Sequence, residues 1–539
     1  MPQFDPLKYA YVSHRNVVYA KKGMACSTSP IASQVGLDIL KSGGNAMDAA
    51  VAMAATMPLT EPTGNGLGSD CFALVWTGGK LYGLNGSGVA PKALSAEVVR
   101  AAGYTAVPLD GWLPTMVPGA PSAWAELRRR FGTKSMAELM APAMEYAREG
   151  FCIPVNVYRQ WKEETVRFTA AAKREPEVFG PWMEYFTKNG QPYGPGETFR
   201  NPDYAKTLQS LADTDCESYY RGEIMEKIVA FSRKTGGFFT ERDFEDYRAG
   251  WVEPITVNYR GYDVFEMPPN GHGITALMAL NLLKGLDLTG GKECADTYHK
   301  MIEATKLAFV DAKRFVADPR YMRTKVADML SERYAADRRR LITDMAVYPE
   351  AGDPACGGTV YFCTADGQGN MVSFIQSNYH RFGSGVVIPS TGITLQDRGA
   401  NFSLDPSSDN FLEGGKKSYH TIIPGFLAKD GQPIGPFGVM GGFMQPQGHV
   451  QVVVNTVDFH MNPQESLDAP RFQWVGEKKV QLEREVPAYI AQELAVRGHQ
   501  VEIVNSNLDM GRGQIIWRMS DGTLVGGTEP RADGTVAAW

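Results

Sequence analysis

The sequence lacks nearly every short signature that would assign it to a ready-made class. It has no C-x-x-C pair, which removes the commonest zinc and redox motifs. Its eight histidines form no H-E-x-x-H, so no spacing supports a metal site and none is expected. There is no G-x-S-x-G elbow for a Ser-His-Asp hydrolase. No apolar run reaches the roughly 18 residues that a membrane-spanning helix needs. Excess positive charge is also missing. Lys and Arg total 54 against 60 Asp and Glu, a net charge of −6, whereas a nucleic-acid partner calls for a basic surface. The N-terminal stretch MPQFDPLKYAYVSHRNVVYAKKG has no apolar h-region, so no signal peptide is expected. Seven cysteines, Cys26, Cys71, Cys152, Cys216, Cys294, Cys356 and Cys363, are odd in number and irregularly spaced. Scattered thiols suit a reducing compartment, and the expected location is the cytoplasm. Neither a nucleic acid, a membrane nor a cofactor is expected as a partner.

What is present is ordinary globular composition, 43% hydrophobic and 21% charged over 539 residues, enough chain for a normal core. Two helices are expected within 32–57. The first stops at Ser42-Gly43-Gly44, and the second, AMDAAVAMAATM, is capped by Asn45 and ended by Pro58. The second is apolar nearly all round and should be buried. The turn Gly64-Asn65-Gly66-Leu67-Gly68 leads into a strand over 71–76 with a hairpin partner at 80–84. It is not G-x-G-x-x-G and opens a strand rather than a helix, so turn chemistry accounts for it better than phosphate binding. From 120 to 340 the pattern is mainly helical, interrupted by a hairpin over 255–265. Residues 340–358 lose all periodicity and carry Pro349, Gly352, Pro354, Gly357 and Gly358, the signature of a mobile loop or boundary. Beyond them short strands with Gly turns dominate, around helices at 448–457 and 487–497. The class is α/β with mostly antiparallel sheets, because hairpin-length links prevail.

Two places carry chemistry. At Gly358-Thr359-Val360-Tyr361-Phe362 a small-residue loop meets a strand at a hydroxyl residue. Thr often starts strands, so this alone is weak. If the Gly358–Thr359 bond is cut, however, Thr359 gains a free α-amine with a reference pKa near 7.7–8.0 that can act as base for its own hydroxyl. No triad is then needed. At Val439-Met440-Gly441-Gly442-Phe443, two glycines end a strand, where backbone N–H groups can turn toward an oxyanion; a β-bulge or tight turn is the plainer alternative. His420 and His449 are expected to be satisfied structural histidines.

A longer set of motifs runs in order along the chain. It comprises Gly43-Gly44-Asn45-Ala46 with Asp48-Ala49-Ala50, Glu61-Pro62 with Gly66-Leu67-Gly68, Pro118-Gly119, and Tyr259-Arg260-Gly261-Tyr262 with Met267-Pro268-Pro269. It continues with Asp318-Pro319, Gly358-Thr359, Phe382-Gly383-Ser384-Gly385, Gly441-Gly442 and Asp468-Ala469-Pro470-Arg471. Together these resemble the gamma-glutamyltranspeptidase family of N-terminal-nucleophile hydrolases, from about residue 15 to the C-terminus. The resemblance implies a four-layer αββα sandwich that cuts itself into a large chain, 1–358, and a small catalytic chain, 359–539, which fold as one unit. It implies that Thr359 attacks a γ-glutamyl or related acid amide. The resulting acyl-enzyme is then released to water or to an amine acceptor. By position, Ser377 matches the second hydroxyl near the nucleophile, Gly441 and Gly442 the oxyanion hole, and His420 and Thr421 the paired serines beside the substrate carboxylate. Higher oligomers occur as a further possibility.

The departures point to substrate. The Arg that grips the glutamyl α-carboxylate in typical members is replaced by Ser87, and the Asp for the α-amino group by Asn401. Tyr379 and Arg398 stand where Asn and Gln are usual, and the segment from Asn401 to Lys416 is short, which implies a truncated lid. The stretches around QSNYHRFGSG and YHTIIPGF resemble members allied to cephalosporin acylases. The expected enzyme is therefore a self-processing threonine amidohydrolase or acyltransferase of the glutathione hydrolase kind. The alternatives are an acylase for glutaryl, cephalosporin-type or oxamate-type amides and, further off, an uncleaved homologue without catalysis.

Overall fold

The computed structural model describes residues 15–349 and 358–539. Two seven-stranded antiparallel sheets organise it. One runs Val18–Ala20, Leu524–Thr528, Arg512–Arg518, Gln432–Met440, Gly425–Lys429, Tyr262–Glu266, Ile255–Tyr259. The other runs Thr535–Ala538, Gly23–Ser27, Gly358–Asp366, Met371–Tyr379, Asp70–Thr77, Lys80–Gly86, Gly250–Val252. The sheets face each other through their central strands. There the Tyr361 ring lies so close beneath Gly438 that a Cβ on that glycine would stand 2.4 Å from it. Helices Pro30–Lys41 and Ala46–Thr60 pack outside the second sheet, and Gly273–Leu283 and Met444–Val457 outside the first, giving the four layers αββα. A small three-stranded sheet near the C-terminus holds one parallel pair, Lys479–Glu483 with Gln500–Val504, so the antiparallel reading holds for both main sheets.

The helix Ala46–Thr60 is buried along its whole length, as its all-round apolar pattern predicts. Asn45 Oδ1 accepts from Met47 N and Asp48 N, and Asn45 N donates in turn to Asp48 Oδ2, a complete capping box. Its end is a correction: Pro58 does not stop it, and the helix continues to Thr60. Proline has no N–H to give the Ala54 carbonyl, and Gln376 Nε2 donates to that oxygen instead, at 3.4 Å. A partner from the strand Met371–Tyr379 satisfies the orphaned carbonyl, and no local sequence signal announces it.

The expected loop at 340–358 lies in part outside the described residues. Residues 342–349 have neither helix nor strand, while Gly358 already belongs to the strand Gly358–Asp366. The N-terminal reading of residues 1–14 also falls outside them. The six described cysteines are free. No helix among the described residues is long and apolar enough to cross a membrane.

Candidate active site

Thr359 sits one residue inside the central strand Gly358–Asp366, where the ladder is irregular. Gly358 pairs with Tyr379 and Val360 with Gln376, so Thr359 faces both Ser377 and Asn378. A bulge at this point re-aims the side chain and releases the strand from strict alternation. The Thr359 Oγ1 lies 3.1 Å from Ser377 Oγ. Gln445, in the first turn of the helix Met444–Val457, reaches toward the same hydroxyl with Nε2 at 3.4 Å and accepts from Ile423 N at 2.9 Å. The glycine turn of 64–68 presses against this strand. A Cβ on Gly64 would lie 2.9 Å from Val360 Cγ1 and 3.0 Å from the Thr359 carbonyl oxygen. Glycine is thus required there by close approach to the candidate nucleophile.

Gly441 and Gly442 form the link between the strand Gln432–Met440 and the helix that carries Gln445. Their φ values, 132° and 58°, lie in the region that side chains disfavour. Gln445 at the start of that helix ties this turn to Thr359. Below the strand end, His449 Nε2 accepts from Val439 N at 3.1 Å while Nδ1 bonds Glu266 Oε1 at 2.6 Å. His449 is the satisfied structural histidine expected.

Beyond Ser377 the chain of contacts reaches a guanidinium. Arg398 Nη2 donates to Ser377 Oγ at 2.9 Å and Nη1 donates to Thr421 Oγ1. The Tyr379 ring covers the guanidinium at 4.6 Å, and Tyr379 N donates to Ser377 Oγ at 2.8 Å. Tyr379 adopts φ 82°, a strained backbone for a bulky residue. Burial lowers the Arg398 pKa to about 10, opposed first by Asp70, so the side chain is still a cation at neutral pH. On the segments around Ser377 and Arg398, three carboxamide nitrogens and one guanidinium nitrogen have no partner among the described residues: Asn378 Nδ2, Gln396 Nε2, Asn401 Nδ2 and Arg398 Nε. Their sister oxygens on Asn378 and Gln396 are occupied, by Ser69 Oγ and Arg398 N. Asn401 shares the 3-10 turn Arg398–Asn401.

The remaining predicted residues fall into a separate, closed network. Ser87 donates to Asn85 Oδ1 at 2.6 Å and lies 3.3 Å from Asn270 Oδ1. Lys417 Nζ donates to the same Asn85 oxygen at 3.1 Å. His420 meets Asp70 Oδ2 at 2.8 Å, and Gly88 N donates to Asp70 Oδ1 at 2.9 Å. Burial pushes the Asp70 carboxyl up to about 7 and holds His420 well below its ordinary value, so this contact is a hydrogen bond from a neutral imidazole. Asp70 is the strand partner of Ser377, which puts it between the two clusters.

Sequence reasoning missed Asp70, Gln445 and Gly64 as site residues. A carboxylate at the first position of an otherwise apolar strand is the one local signal for Asp70. Gln445 has none, because its role depends on which strand the helix faces.

The gamma-glutamyltranspeptidase family signature matches residues 32–539. The chain belongs to this family. The glutathione hydrolase-like YwrD proenzyme of Bacillus subtilis is 34% identical over 529 residues, covering 96% of this chain and 98% of that protein. The oxamate amidohydrolase proenzyme of Klebsiella pneumoniae is 33% identical over 532 residues, with 96% and 98% covered. Among solved structures, a cephalosporin acylase from Bacillus halodurans superposes with a TM-score of 0.94 at 54% identity, covering 99% of both chains. As a gamma-glutamyltranspeptidase-family member the chain is an amide-cleaving enzyme with the αββα architecture, and these curated relatives are made as proenzymes.

Proposed function

We propose that the protein cuts itself between Gly358 and Thr359 and then cleaves amides whose acyl part carries a carboxylate but no α-ammonium. The observation that carries this reading is the unbroken line Thr359 Oγ1, Ser377 Oγ, Arg398 guanidinium, set against a Ser87 that is already bonded within its own network. Once freed, the Thr359 α-amine takes the proton from Oγ1, which attacks the amide carbon. The Gly441 and Gly442 N–H groups receive the oxyanion. The amine leaves with a proton, and water or another amine resolves the ester on Thr359.

Arg398 is the cation suited to the acyl carboxylate, since its planar fork matches two oxygens. Arg398 Nε and the neighbouring Asn401 Nδ2 are buried N–H donors without a partner among the described residues, and such donors suit an anionic or carbonyl-bearing acyl group. A glutamyl head additionally needs a negative partner for its ammonium, and Asn401 supplies no charge. Each lost charged hydrogen bond weakens recognition by about 1.5–3 kcal/mol. The relatives named as an oxamate amidohydrolase and a cephalosporin acylase support an acyl group other than glutamyl. Free buried thiols support a reducing working compartment, the cytoplasm.

The test compares kcat/KM for a γ-glutamyl anilide and the matching glutaryl anilide. Glutaryl should be the better substrate. A γ-glutamyl preference of about tenfold or more, a difference of roughly 1.4 kcal/mol, would overturn the reading.

A further inference from the structure

One fully buried side chain touches the candidate nucleophile without a role in the acyl transfer proposed for it. Gln445 stands in the first turn of the helix Met444–Val457, shortly after Gly442. Its Nε2 lies 3.4 Å from Thr359 Oγ1, and its Oε1 accepts from Ile423 N at 2.9 Å. A backbone N–H can only donate, so the Ile423 contact settles which end of the carboxamide is oxygen. The NH2 end therefore faces Thr359. The glycine turn is oriented by the same helix start: Met444 N donates to the Gly441 carbonyl at 3.0 Å and Gln445 N to the Gly442 carbonyl at 3.2 Å. In a trans peptide the carbonyl and the next N–H point opposite ways, so the Gly442 N–H is turned away from the helix.

The second contact on the nucleophile has a defined direction too. Ser377 Oγ accepts from Tyr379 N at 2.8 Å and from Arg398 Nη2 at 2.9 Å, which occupies both of its lone pairs. The hydrogen between Ser377 and Thr359 is then the serine's. Thr359 Oγ1 thus receives two donors, Ser377 at 3.1 Å and Gln445 at 3.4 Å. A hydroxyl oxygen that holds two donors has no lone pair left for attack. The longer, weaker bond is the one to be given up, and that bond comes from Gln445.

We propose that Gln445 is a catalytic residue: its Nε2–H moves from Thr359 Oγ1 to the substrate carbonyl oxygen as that oxygen becomes an anion, and so adds a side-chain donor to the Gly441 and Gly442 amides. This rests on the reading that Thr359 attacks the amide at that turn. As the bond from Oγ1 to the carbonyl carbon forms, the carbonyl π pair moves onto oxygen and the Oγ1 proton passes to the α-amine. Only the carbonyl carbon separates the new oxyanion from Oγ1, so it lies within the sweep of a carboxamide that already reaches Oγ1. When the oxyanion collapses, the carbon–nitrogen bond breaks and the α-ammonium proton leaves with the amine. Nε2 then returns to what is now the ester oxygen. A donor engaged more tightly in the transition state than before it raises kcat and leaves substrate binding unchanged.

The experiment measures kcat, KM and melting temperature with a glutaryl anilide, per mature chain counted on denaturing gels. Gln445→Met, close in shape and without a donor, should lower kcat about 100-fold or more, with KM within about twofold of wild type. A boronic acid matching the glutaryl group, which forms a tetrahedral adduct on Oγ1, should lose affinity in step with kcat, whereas glutarate should not. Gln445→Glu keeps the acceptor for Ile423 N and removes the N–H; it should melt like wild type and be as slow, which separates the lost donor from lost support of Ile423. Turnover near wild type in either variant overturns the inference. So does a loss confined to KM, or a boronate affinity that Gln445→Met leaves unchanged. A variant that melts like wild type but is cut slowly or not at all before Thr359 counts in its favour, since the same Oγ1 makes that attack. Gly442→Val is the control: if it turns over normally, the parent reading of the turn fails, whereas a crippled Gly442→Val beside an active Gln445→Met removes the role of Gln445 alone.

Discussion

The two sides of the candidate site use their polar atoms in opposite ways. At Ser87 the hydroxyl, two asparagines and Lys417 satisfy one another, and His420 and Asp70 do the same beside them. At Arg398, by contrast, a buried cation leans on two hydroxyls and a ring and keeps Nε without a partner. The nearest compensating charges, Asp70 and Asp397, act on Arg398 through space, and no hydrogen bond among the described residues joins either of them to the guanidinium. The difference is one of saturation: the polar groups around Ser87 are spent on one another, whereas Arg398 keeps a donor in hand, which is what the proposed carboxylate recognition draws on.

The largest effect should come from the residue on which the open side depends. Thr359→Ala should abolish activity and remain a single 539-residue chain; gel mobility and an amidase assay check both. Next, Gly442→Val forces a branched side chain into φ 58° and displaces an oxyanion donor, costing about 10²–10³ in kcat. Near-normal turnover by a folded variant would sink that assignment. Arg398→Met should lower kcat/KM for a glutaryl anilide by about 10–100-fold, the worth of a charged hydrogen bond, with little change for a neutral acyl anilide. Equal losses on both substrates would mean that Arg398 only holds Ser377 and Thr421 in place.

The smallest effect concerns the closed side and pH. Burial raises the Asp70 carboxyl from 3.8 to about 7, so the folded protein holds that proton more tightly than the unfolded chain. This contribution to stability is complete below about pH 4 and is lost as pH climbs through about 7. Asp70→Asn cannot titrate. Melting curves from pH 5 to pH 8 should show wild type losing ground to the variant as pH rises, and a constant gap would contradict the raised value.

Much of this was legible in the sequence. The helix Ala46–Thr60 showed itself through its cap and its apolar circumference, and the strand after the glycine turn through its Val, Phe and Leu content. Thr359 and the Gly441-Gly442 pair stood at strand ends, where small and hydroxyl residues carry meaning. The sandwich, by contrast, came from the resemblance and not from periodicity. Pro58 misled because its missing donor is replaced by Gln376 from a distant strand. Asp70 and Gln445 stayed hidden because each reaches the candidate site only through a neighbour across the fold, Ser377 for one and Thr359 for the other.

The strand order of the two main sheets has one more consequence. Segments from before and after Thr359 alternate within both: Gly358–Asp366 and Met371–Tyr379 lie between Gly23–Ser27 and Asp70–Thr77, and Gly425–Lys429 joins Gln432–Met440 to Tyr262–Glu266. A break before Thr359 turns one polypeptide into two that are woven through each other. Neither can depart without tearing out ladders from the other, and once apart their reunion is second order in concentration, with no tether to bring them back. Folding is then an event of the precursor alone, and the lifetime of the mature enzyme is governed by how slowly it comes undone rather than by any equilibrium with its parts.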